Sequence, residues 1–251
     1  MIIYGYRIPM MASLLIWAVV WEFIGRFELV LLFPPLTHVL VAGVEVVNHS
    51  QFFSAVWITV QCFLQGFGLA VAVGIPLGML MGMVPAADRL LSMWVSIFIS
   101  TPLTPLVPVF MILFGLGEAT VIVTVFMFAV WIIVLDTRAG VHDVPPSLLE
   151  MSRCFGASRW QTLRHIVSLS ALPEILAGLR LGVIRGVKGA VIGQLLVSVI
   201  GIGALFKFYS QNFLMEHFWA LVLMLFVAAL GTAGIIEALE RRVQYYAGDR
   251  G

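Results

Sequence analysis

Few side chains in this sequence have the types and spacing that chemistry requires. Glu22, Asp136 and Glu174 are titratable, but each lies near the end of an apolar segment, so the paired acids of an intramembrane enzyme are not expected. No stretch fits Gly-x-x-x-x-Gly-Lys-Ser/Thr, the loop whose backbone N–H groups hold nucleotide phosphates. Metal-ligand spacing is also missing among four of the five histidines, His49, His142, His165 and His217. The sequence therefore predicts neither catalysis nor nucleotide binding by this chain.

Three basic residues, Arg180, Arg185 and Lys188, interrupt one of the apolar segments. If a helix begins near Pro173, a rise of about 1.5 Å per residue places Lys188 on the order of 20 Å along it. A charge at that depth in a bilayer is costly unless it faces water or a partner, and a basic lining suits an anion. Arg185 and Lys188 are therefore candidate pathway residues. In the alternative, the helix runs along the interface and these side chains extend to lipid phosphates.

The elements that carry these residues are predicted from composition. Of 251 residues, 61% are hydrophobic and 11% are charged, whereas soluble domains average about 25% charged residues. Since about 20 apolar residues span a bilayer, this length predicts about six transmembrane helices in one all-α domain, residues 1–251. Cys62 is in an apolar segment and Cys154 in a polar one, so no disulfide is expected. The predicted spans are roughly 8–32, 52–84, 90–114, 119–138, 173–198 and 217–238.

The basic residues predict the orientation of these spans. The loops on one side contain Arg26 and Lys207, and those on the other side contain most of the remaining arginines. The positive-inside rule therefore places both termini and segment 145–166 in the cytoplasm. Asp136 and Arg138, at the end of one span, are interpreted as an ion pair at the interface in preference to a proton relay. A net charge of +1 without a basic tail gives no indication of nucleic-acid binding.

Segment 145–166 is polar, although it lies between two long apolar segments. Pro145 and Pro146 end the preceding helix, and Ser147 with Glu150 matches a capping box that begins a new one. The small residues from Gly156 to Ser158 predict a bend before a second short helix. Such a bend, exposed to the cytoplasm, is either a knob that docks in a partner's groove or a solvated loop; the pattern favours neither. Glu150 is interpreted as a cap residue of its own helix, or as an ion-pair partner of a docked protein or of Arg153 and Arg164.

Prolines recur every three residues in Thr101-Pro102-Leu103-Thr104-Pro105-Leu106-Val107-Pro108. Each removes a backbone donor and disfavours helix before it, and non-helical backbone at membrane depth requires cover from protein or a watery cavity. This favours a broken helix that lines a pathway, with Thr101, Pro102, Thr104 and Pro105 as candidates and the threonine hydroxyls available to a solute. The alternative is a kinked span or a cytoplasmic elbow.

Glycines recur every four residues in two predicted spans. One series is Gly74, Gly78 and Gly82, and the other is Gly178, Gly182 and Gly186. Small residues on one helix face let backbones approach closely in lipid, so both series predict tight helix packing.

The polar segment also carries a family resemblance. Glu150-Met151-Ser152, three residues, Gly156, nine residues and Ile166 resemble the EAA loop of binding-protein-dependent ABC importer permeases. Further landmarks resemble the branch that carries nitrate, taurine and alkanesulfonates, and they occur in the family's order over most of the chain. They are Gly74-Ile-Pro-Leu-Gly78, Phe114-Gly-Leu-Gly-Glu118, Phe155-Gly-Ala-Ser158, Ala171-Leu-Pro173, Gly178-Leu-Arg180 and Gly201-Ile-Gly203. Three positions depart from the pattern: Met151-Ser152 replaces Ala-Ala, Leu169 replaces a frequent Pro, and Gln194 replaces a frequent acidic residue.

The resemblance implies a type I importer transmembrane domain with the MetI-like fold, in a bacterial inner membrane. It implies two permease copies, two cytoplasmic ATPase subunits that bind ATP and Mg, and a periplasmic or lipid-anchored solute-binding protein outside. A single permease gene would favour a homodimer. The polar segment, hereafter the coupling region (145–166), would contact the ATPase through Glu150, Arg153, Phe155, Gly156, Ala157, Ser158 and Arg159. The expected solute is a small anion, such as a sulfonate, taurine, nitrate or an aromatic carboxylate. Gln194 is added to the candidate pathway residues.

Two other classes of function are considered. An ion-driven secondary transporter or a channel would need no ATPase, and an intramembrane enzyme would need buried titratable pairs. Copurification of an ATPase subunit separates the importer from both.

Overall fold

The computed structural model describes residues 2–3, 6–7, 10–28, 30, 32–197, 199–228, 231 and 234. A short antiparallel hairpin pairs β1 (Ile2–Ile3) with β2 (Tyr6–Arg7). The helices, in chain order, are α1 (Met10–Arg26), α2 (Leu36–Asn48), α3 (Ser50–Met83), α4 (Pro85–Ser100), α5 (Val107–Phe114), α6 (Glu118–His142), α7 (Pro146–Cys154), α8 (Arg159–Thr162), α9 (Ser168–Ser170), α10 (Leu172–Val197), α11 (Gly201–Gln211) and α12 (Met215–Ala228). A 3₁₀ turn, Thr104–Leu106, precedes α5, and a π turn, Leu163–Val167, separates α8 from α9.

Two helices in the described part of the chain, α3 and α6, are each long and apolar enough to cross a membrane. Two bent pairs also meet this criterion when each pair is taken together: α4 with 104–114, bent by 96°, and 159–170 with α10, bent by 62°. At about 1.5 Å per residue, the 34 residues of α3 exceed a hydrocarbon core of about 30 Å. Because the helix is continuous, it must tilt in the bilayer or extend beyond the hydrocarbon core.

Several helix bounds differ from the predicted spans. The first helix covers 17 residues within the predicted span 8–32, because the chain turns at Phe27 and reaches two prolines soon afterwards. The predicted span 90–114 is occupied by two helices, because α4 begins at Pro85 and the chain bends by 96° after Ser100, where the prolines predict a break. Helices α2 and α11 were not predicted. The part of the last predicted span beyond Ala228 lies largely outside the described residues.

Helix α6 is the centre of the bundle and packs against α3 on one side and α10 on the other. Its Val121, Val125, Ala129 and Ile133 are fully buried. Glycines of both neighbours face it: a Cβ at Gly78 would lie 2.6 Å from the Thr137 Cβ, and a Cβ at Gly74, Gly82, Gly178 or Gly182 would lie 2.6–2.9 Å from a side chain of α6. At Gly186 the nearest atom is 3.2 Å away and belongs to Phe63 of α3. The predicted packing role of the two glycine series is therefore confirmed. This close packing fixes α10, which carries the candidate cations, against α6.

A second apolar cluster joins the remaining helices. It is formed by α2, α11 and α12 with the beginning of α3, and its buried members are Val39, Ala42, Val46, Ala55, Leu205, Phe206, Tyr209, Ala220 and Leu221. The face of α2 that points away from this cluster is exposed and apolar, with Leu40, Val41 and Val44 about 60% exposed. Exposed apolar faces of this kind are expected on a protein surrounded by lipid.

Candidate coupling region and pathway residues

Helix α7 of the coupling region begins two residues earlier than the capping-box motif predicts. Pro146 occupies the first helical position, where its missing N–H costs nothing, and Pro145 is the N-cap without a side-chain bond. Ser147 is therefore already inside the helix, and the predicted capping box of Ser147 with Glu150 is wrong. The Glu150 side chain is exposed and forms no ion pair with Arg153 or Arg164 within the described residues.

The bend between α7 and α8 is built from two consecutive capping motifs. The Gly156 N–H donates to the Arg153 carbonyl (3.0 Å) and the Ala157 N–H to the Ser152 carbonyl (3.0 Å), the two bonds of a Schellman motif. Gly156 has φ of +72°, the left-handed conformation that this motif requires. The predicted helix–bend–helix arrangement of the coupling region is therefore present in the structure.

A capping box begins α8 directly after the bend. The Gln161 N–H donates to Ser158 Oγ (3.3 Å), and the Ser158 N–H donates to Gln161 Oε1 (2.8 Å). This box was not predicted, although Ser158-Arg-Trp-Gln161 fits the same spacing rule as Ser147 and Glu150. Because each backbone donor at the bend has a partner, the turn has a defined conformation although its side chains face outward.

The outward surface of this bend is apolar and basic. Phe155 is 83% exposed, Trp160 is 67% exposed and Met151 is 46% exposed. Arg153 and Arg159 are exposed beside them, and neither forms an ion pair in the described part of the chain. A protruding aromatic ring between unpaired cations is suited to a groove with an apolar floor and acidic rim.

The inner side of the coupling region is fixed to the bundle. The Ser152 side chain is buried, donates to the Leu149 carbonyl (2.8 Å) and accepts from Thr162 Oγ1 (3.3 Å), which connects α7 to α8. Leu149 and Leu163 pack against a cluster formed by Val141, Val144, Val167, Ala171 and Ile175. The Ser152–Thr162 contact was not predicted, because two residues that are ten positions apart on different helices give no sequence signal of a contact.

The proline-rich segment breaks the chain at the predicted place. Four candidates, Thr101, Pro102, Thr104 and Pro105, are exposed there, whereas Leu103 is buried. The Thr101 hydroxyl donates to the Ile97 carbonyl (2.7 Å) in the last turn of α4, so its hydrogen is already used. The exposed prolines and the Thr104 hydroxyl form the outer surface of the 96° bend.

The candidate cations lie on α10. Lys188 is exposed and Arg185 is half-buried. Arg185 is within electrostatic range of Asp136 on α6, whose carboxylate lies against α10 where Gly178 leaves space. Among the residues that the structure describes, Arg185 forms no direct ion pair. Its guanidinium therefore lies near the Asp136 carboxyl group while its hydrogen-bond donors stay available.

Gln194 lies in a different environment from the two cations. Its side chain is 1% exposed, and its Oε1 accepts from Thr59 Oγ1 (2.9 Å) on α3. The same Thr59 oxygen accepts from the Ile202 N–H (3.3 Å), and Gly201 leaves room for the amide, so one polar contact joins α3, α10 and α11. In this conformation the Gln194 side chain faces the protein interior and not an open surface. Thr59 was not identified from the sequence.

Arg138 pairs with a different acid from the one predicted. It contacts Asp88, in the first turn of α4, at 2.5 Å from Nε to Oδ1 and 2.8 Å from Nη2 to Oδ2. The predicted pair with Asp136 is wrong, because residues two apart on a helix point to different sides. The observed ion pair attaches the first half of the broken span to α6.

Comparison with known proteins shows which family this chain resembles. Residues 74–245 match the family model described as "Binding-protein-dependent transport system inner membrane component". The chain is 27% identical over 241 residues to the taurine transport system permease protein TauC of Escherichia coli (strain K12), covering 92% of this chain and 86% of the relative. It is 26% identical over 243 residues to the putative aliphatic sulfonates transport permease protein SsuC of Bacillus subtilis (strain 168), covering 96% and 87%.

Solved structures have the same fold. The MetNI methionine ABC transporter in inward-facing conformations aligns with a TM-score of 0.64 at 22% identity, over 75% of this chain and 94% of that chain. An amino acid ABC transporter crystallised with histidines aligns with a TM-score of 0.63 at 18% identity, over 79% and 96%. The fold is thus the MetI-like fold of ABC importer permeases.

The matched proteins are multi-pass membrane permease subunits, not enzymes, and they act with ATPase and solute-binding partners. The same statement holds for the present chain, with its exposed apolar helices and its landmarks of the taurine and sulfonate branch. This chain is an ABC importer permease that belongs to the family of binding-protein-dependent transport system inner membrane components.

Proposed function

We propose that this permease imports a small anion of the sulfonate or taurine type, with nitrate and aromatic carboxylates as related possibilities. A solute-binding protein delivers the anion at the outer surface, and both termini of the permease lie in the cytoplasm. Support comes from the names of the two relatives and from the basic residues of α10. The pathway follows α10 and the bend at Thr101, Pro102, Thr104 and Pro105, with Gln194 supporting the outer end of α10.

The coupling region docks in a groove of a cytoplasmic ATPase subunit that binds ATP and Mg²⁺. Two permease copies, identical if one gene encodes both, associate with two such subunits. The observation that carries this proposal is the Phe155 ring, 83% exposed on a turn whose backbone donors are all satisfied. An aromatic side chain held at the tip of a defined turn loses little entropy when it enters a pocket, which makes it an effective anchor.

Transport proceeds by alternating access. ATP binding closes the ATPase subunits and brings the two coupling regions together. Because Leu149, Leu163 and Val167 pack on α6 and α10, movement of the coupling region moves the cytoplasmic ends of these helices and closes the inner gate. The outer gate then opens toward the docked solute-binding protein. Hydrolysis reverses the movement and releases the anion inside.

The docking proposal is tested by replacing Phe155 with Asp and measuring how much ATPase subunit copurifies with the tagged permease. The change removes the anchor and introduces a charge, so we expect at least a tenfold loss of captured ATPase. Phe213→Asp is the matched control, because Phe213 is 73% exposed on a different loop and is expected to leave capture unchanged. Equal capture by both variants would contradict the proposal.

The anion pathway is tested separately by uptake measurements. The ligand retained by the copurified solute-binding protein is first identified by mass spectrometry and then supplied to cells, with taurine and an alkanesulfonate as competitors. Lys188→Met and Arg185→Gln are expected to reduce its uptake several-fold at unchanged expression. Lys207→Met, which removes an exposed lysine of α11, is the control. Unaltered uptake by both α10 variants, or a cationic ligand, would exclude the proposed anion pathway.

A further inference from the structure

The link between the coupling region and α10 contains a π turn, Leu163–Val167. The Ser168 N–H donates to the Leu163 carbonyl, five residues back, and the Ser168 hydroxyl donates to the same oxygen at 2.9 Å. π-helix is rare and occurs mostly as single turns inserted in α-helices, where each insertion accommodates one extra residue. Here the side chain of the residue that closes the turn adds a second hydrogen bond to it.

The π turn connects the coupling region to α10, so it lies on the chain segment between these two parts of the protein. Before it, the turn at Gly156 and the Ser152–Thr162 hydrogen bond connect α7 and α8. After it, the chain bends by 62° near Ala171 and enters α10, which is packed on α6 through glycines. Along this connection a change in the orientation of α8 relative to α10 therefore occurs between Leu163 and Ala171, and it is accompanied by a change in how Leu149 and Leu163 pack on the cluster at the end of the bundle.

The extra residue of a π turn determines the rotation between the segments on either side. One residue corresponds to about 100° of rotation in an α-helix with 3.6 residues per turn. Leu163 and Val167 both face the cluster at the end of the bundle in the present structure. Conversion of the turn to α-helix would keep Val167 in place and rotate Leu163, together with α8, about the helix axis.

We propose that this π turn is a two-state joint that transmits the action of the ATPase to α10, an inference that rests on the proposed docking of the coupling region. In one state the extra residue is in the turn closed by Ser168, as the structure has it. In the other state it moves to the bend at Ala171, the turn becomes α-helical, and the coupling region rotates relative to α10. The Ser168 hydroxyl stabilises the first state by one hydrogen bond, so the two states differ by a small free energy that nucleotide binding can reverse.

The test measures amide hydrogen exchange across 163–168 in the complete importer, purified through a tag on this chain. Exchange is compared without nucleotide and after trapping with ATP and vanadate. In the unmodified complex we expect the rates across 163–168 to differ by about fivefold or more between the two conditions, the effect of gaining or losing one ordinary hydrogen bond. Deletion of His165 removes the extra residue, so the segment is α-helical in both conditions and the difference should disappear. His165→Ala keeps the chain length and is expected to keep the difference.

The proposal would be overturned if nucleotide changed the exchange rates across 163–168 equally in the unmodified complex and in the deletion variant. An unmodified complex whose exchange across 163–168 does not respond to nucleotide would also overturn it. If the deletion prevents assembly, Ser168→Ala decides: exchange without nucleotide should rise about fivefold. Ser168→Thr keeps a hydroxyl group at this position and should have the exchange rate of the unmodified chain. Ser170→Ala should also have that rate. An unchanged rate in Ser168→Ala overturns the proposal, whereas failure of the unmodified chain to capture any ATPase overturns the proposed docking.

Discussion

Gly78 in the bundle and Gly156 in the coupling region are the same residue type required for opposite reasons. At Gly78 the backbone is ordinary helix, but a Cβ would lie 2.6 Å from the Thr137 Cβ and 2.7 Å from the Val134 carbonyl oxygen. At Gly156 there is open space, with nothing within 4 Å of a Cβ, but φ is +72°. The bundle is therefore specified by packing and the coupling region by backbone conformation. Substitutions in the two regions should consequently fail in different measurements.

The largest effect is expected from Gly78→Ala. Its Cβ would collide with a backbone oxygen that cannot move without displacing α6, so the free energy of unfolding should fall by about 3 kcal/mol, the upper end for overpacking. Gly68→Ala in the same helix is the control, because no atom lies within 4 Å of its Cβ position. That variant should be neutral or stabilised by up to about 1 kcal/mol, since alanine favours helix. Thermal unfolding in detergent measures both, and equal melting temperatures would contradict the packing argument.

A smaller effect, confined to the coupling region, is expected from Gly156→Ala. An L-residue with a side chain costs about 1–2 kcal/mol in the left-handed conformation, which disfavours the Schellman turn. ATPase capture should weaken about tenfold while the melting temperature of the bundle stays unchanged. Gly156→Asn should retain more capture than Gly156→Ala, because asparagine visits this conformation more readily. A fall in melting temperature equal to that of Gly78→Ala would remove the distinction between the two glycines.

The same contrast explains which features could be predicted from sequence. The bend at Gly156, the break at the prolines and the glycine series depend on local rules or on spacing along one helix, and all three were predicted. The pairing of Arg138 with Asp88 and of Thr59 with Gln194 joins residues that are 50 and 135 positions apart. Such contacts depend on how helices are arranged in space, which a single sequence does not specify.

The error at Ser147 has another origin. The pattern of Ser147 and Glu150 is correct for a capping box. The two prolines before it, however, start the helix at an earlier residue, Pro146. Two local signals competed there, and the stronger one, the fixed φ of proline, determined the helix start. At Ser158 no proline interferes, and the box forms.

Substitution of the two serines tests this explanation with a still smaller effect. Ser158→Ala removes the acceptor for the Gln161 N–H and should cost about 1 kcal/mol locally, which corresponds to about fivefold weaker ATPase capture. Ser147→Ala should have no measurable effect, because its side chain makes no capping bond. Amide exchange in 158–162 provides a second measurement, expected to rise in the first variant alone. A larger loss of ATPase capture in Ser147→Ala than in Ser158→Ala would show that Ser147 caps α7 in the assembled importer.

The smallest expected effect concerns the ion pair between Arg138 and Asp88. Both side chains are about one third exposed, so solvent screens the pair and its coupling free energy should be about 0.5–1 kcal/mol despite the two-point contact. A double-mutant cycle of Arg138→Gln and Asp88→Asn, followed by thermal unfolding, measures this coupling directly. The parallel cycle of Arg138→Gln with Asp136→Asn should give a coupling near zero, since Asp136 points toward α10 instead. If Arg138 were coupled to Asp136 and not to Asp88, the ion pair between α4 and α6 would be absent in the bilayer, and α4 would be held against α6 by apolar contacts such as the stacked Phe98 and Trp131 rings, whose centroids are 4.4 Å apart.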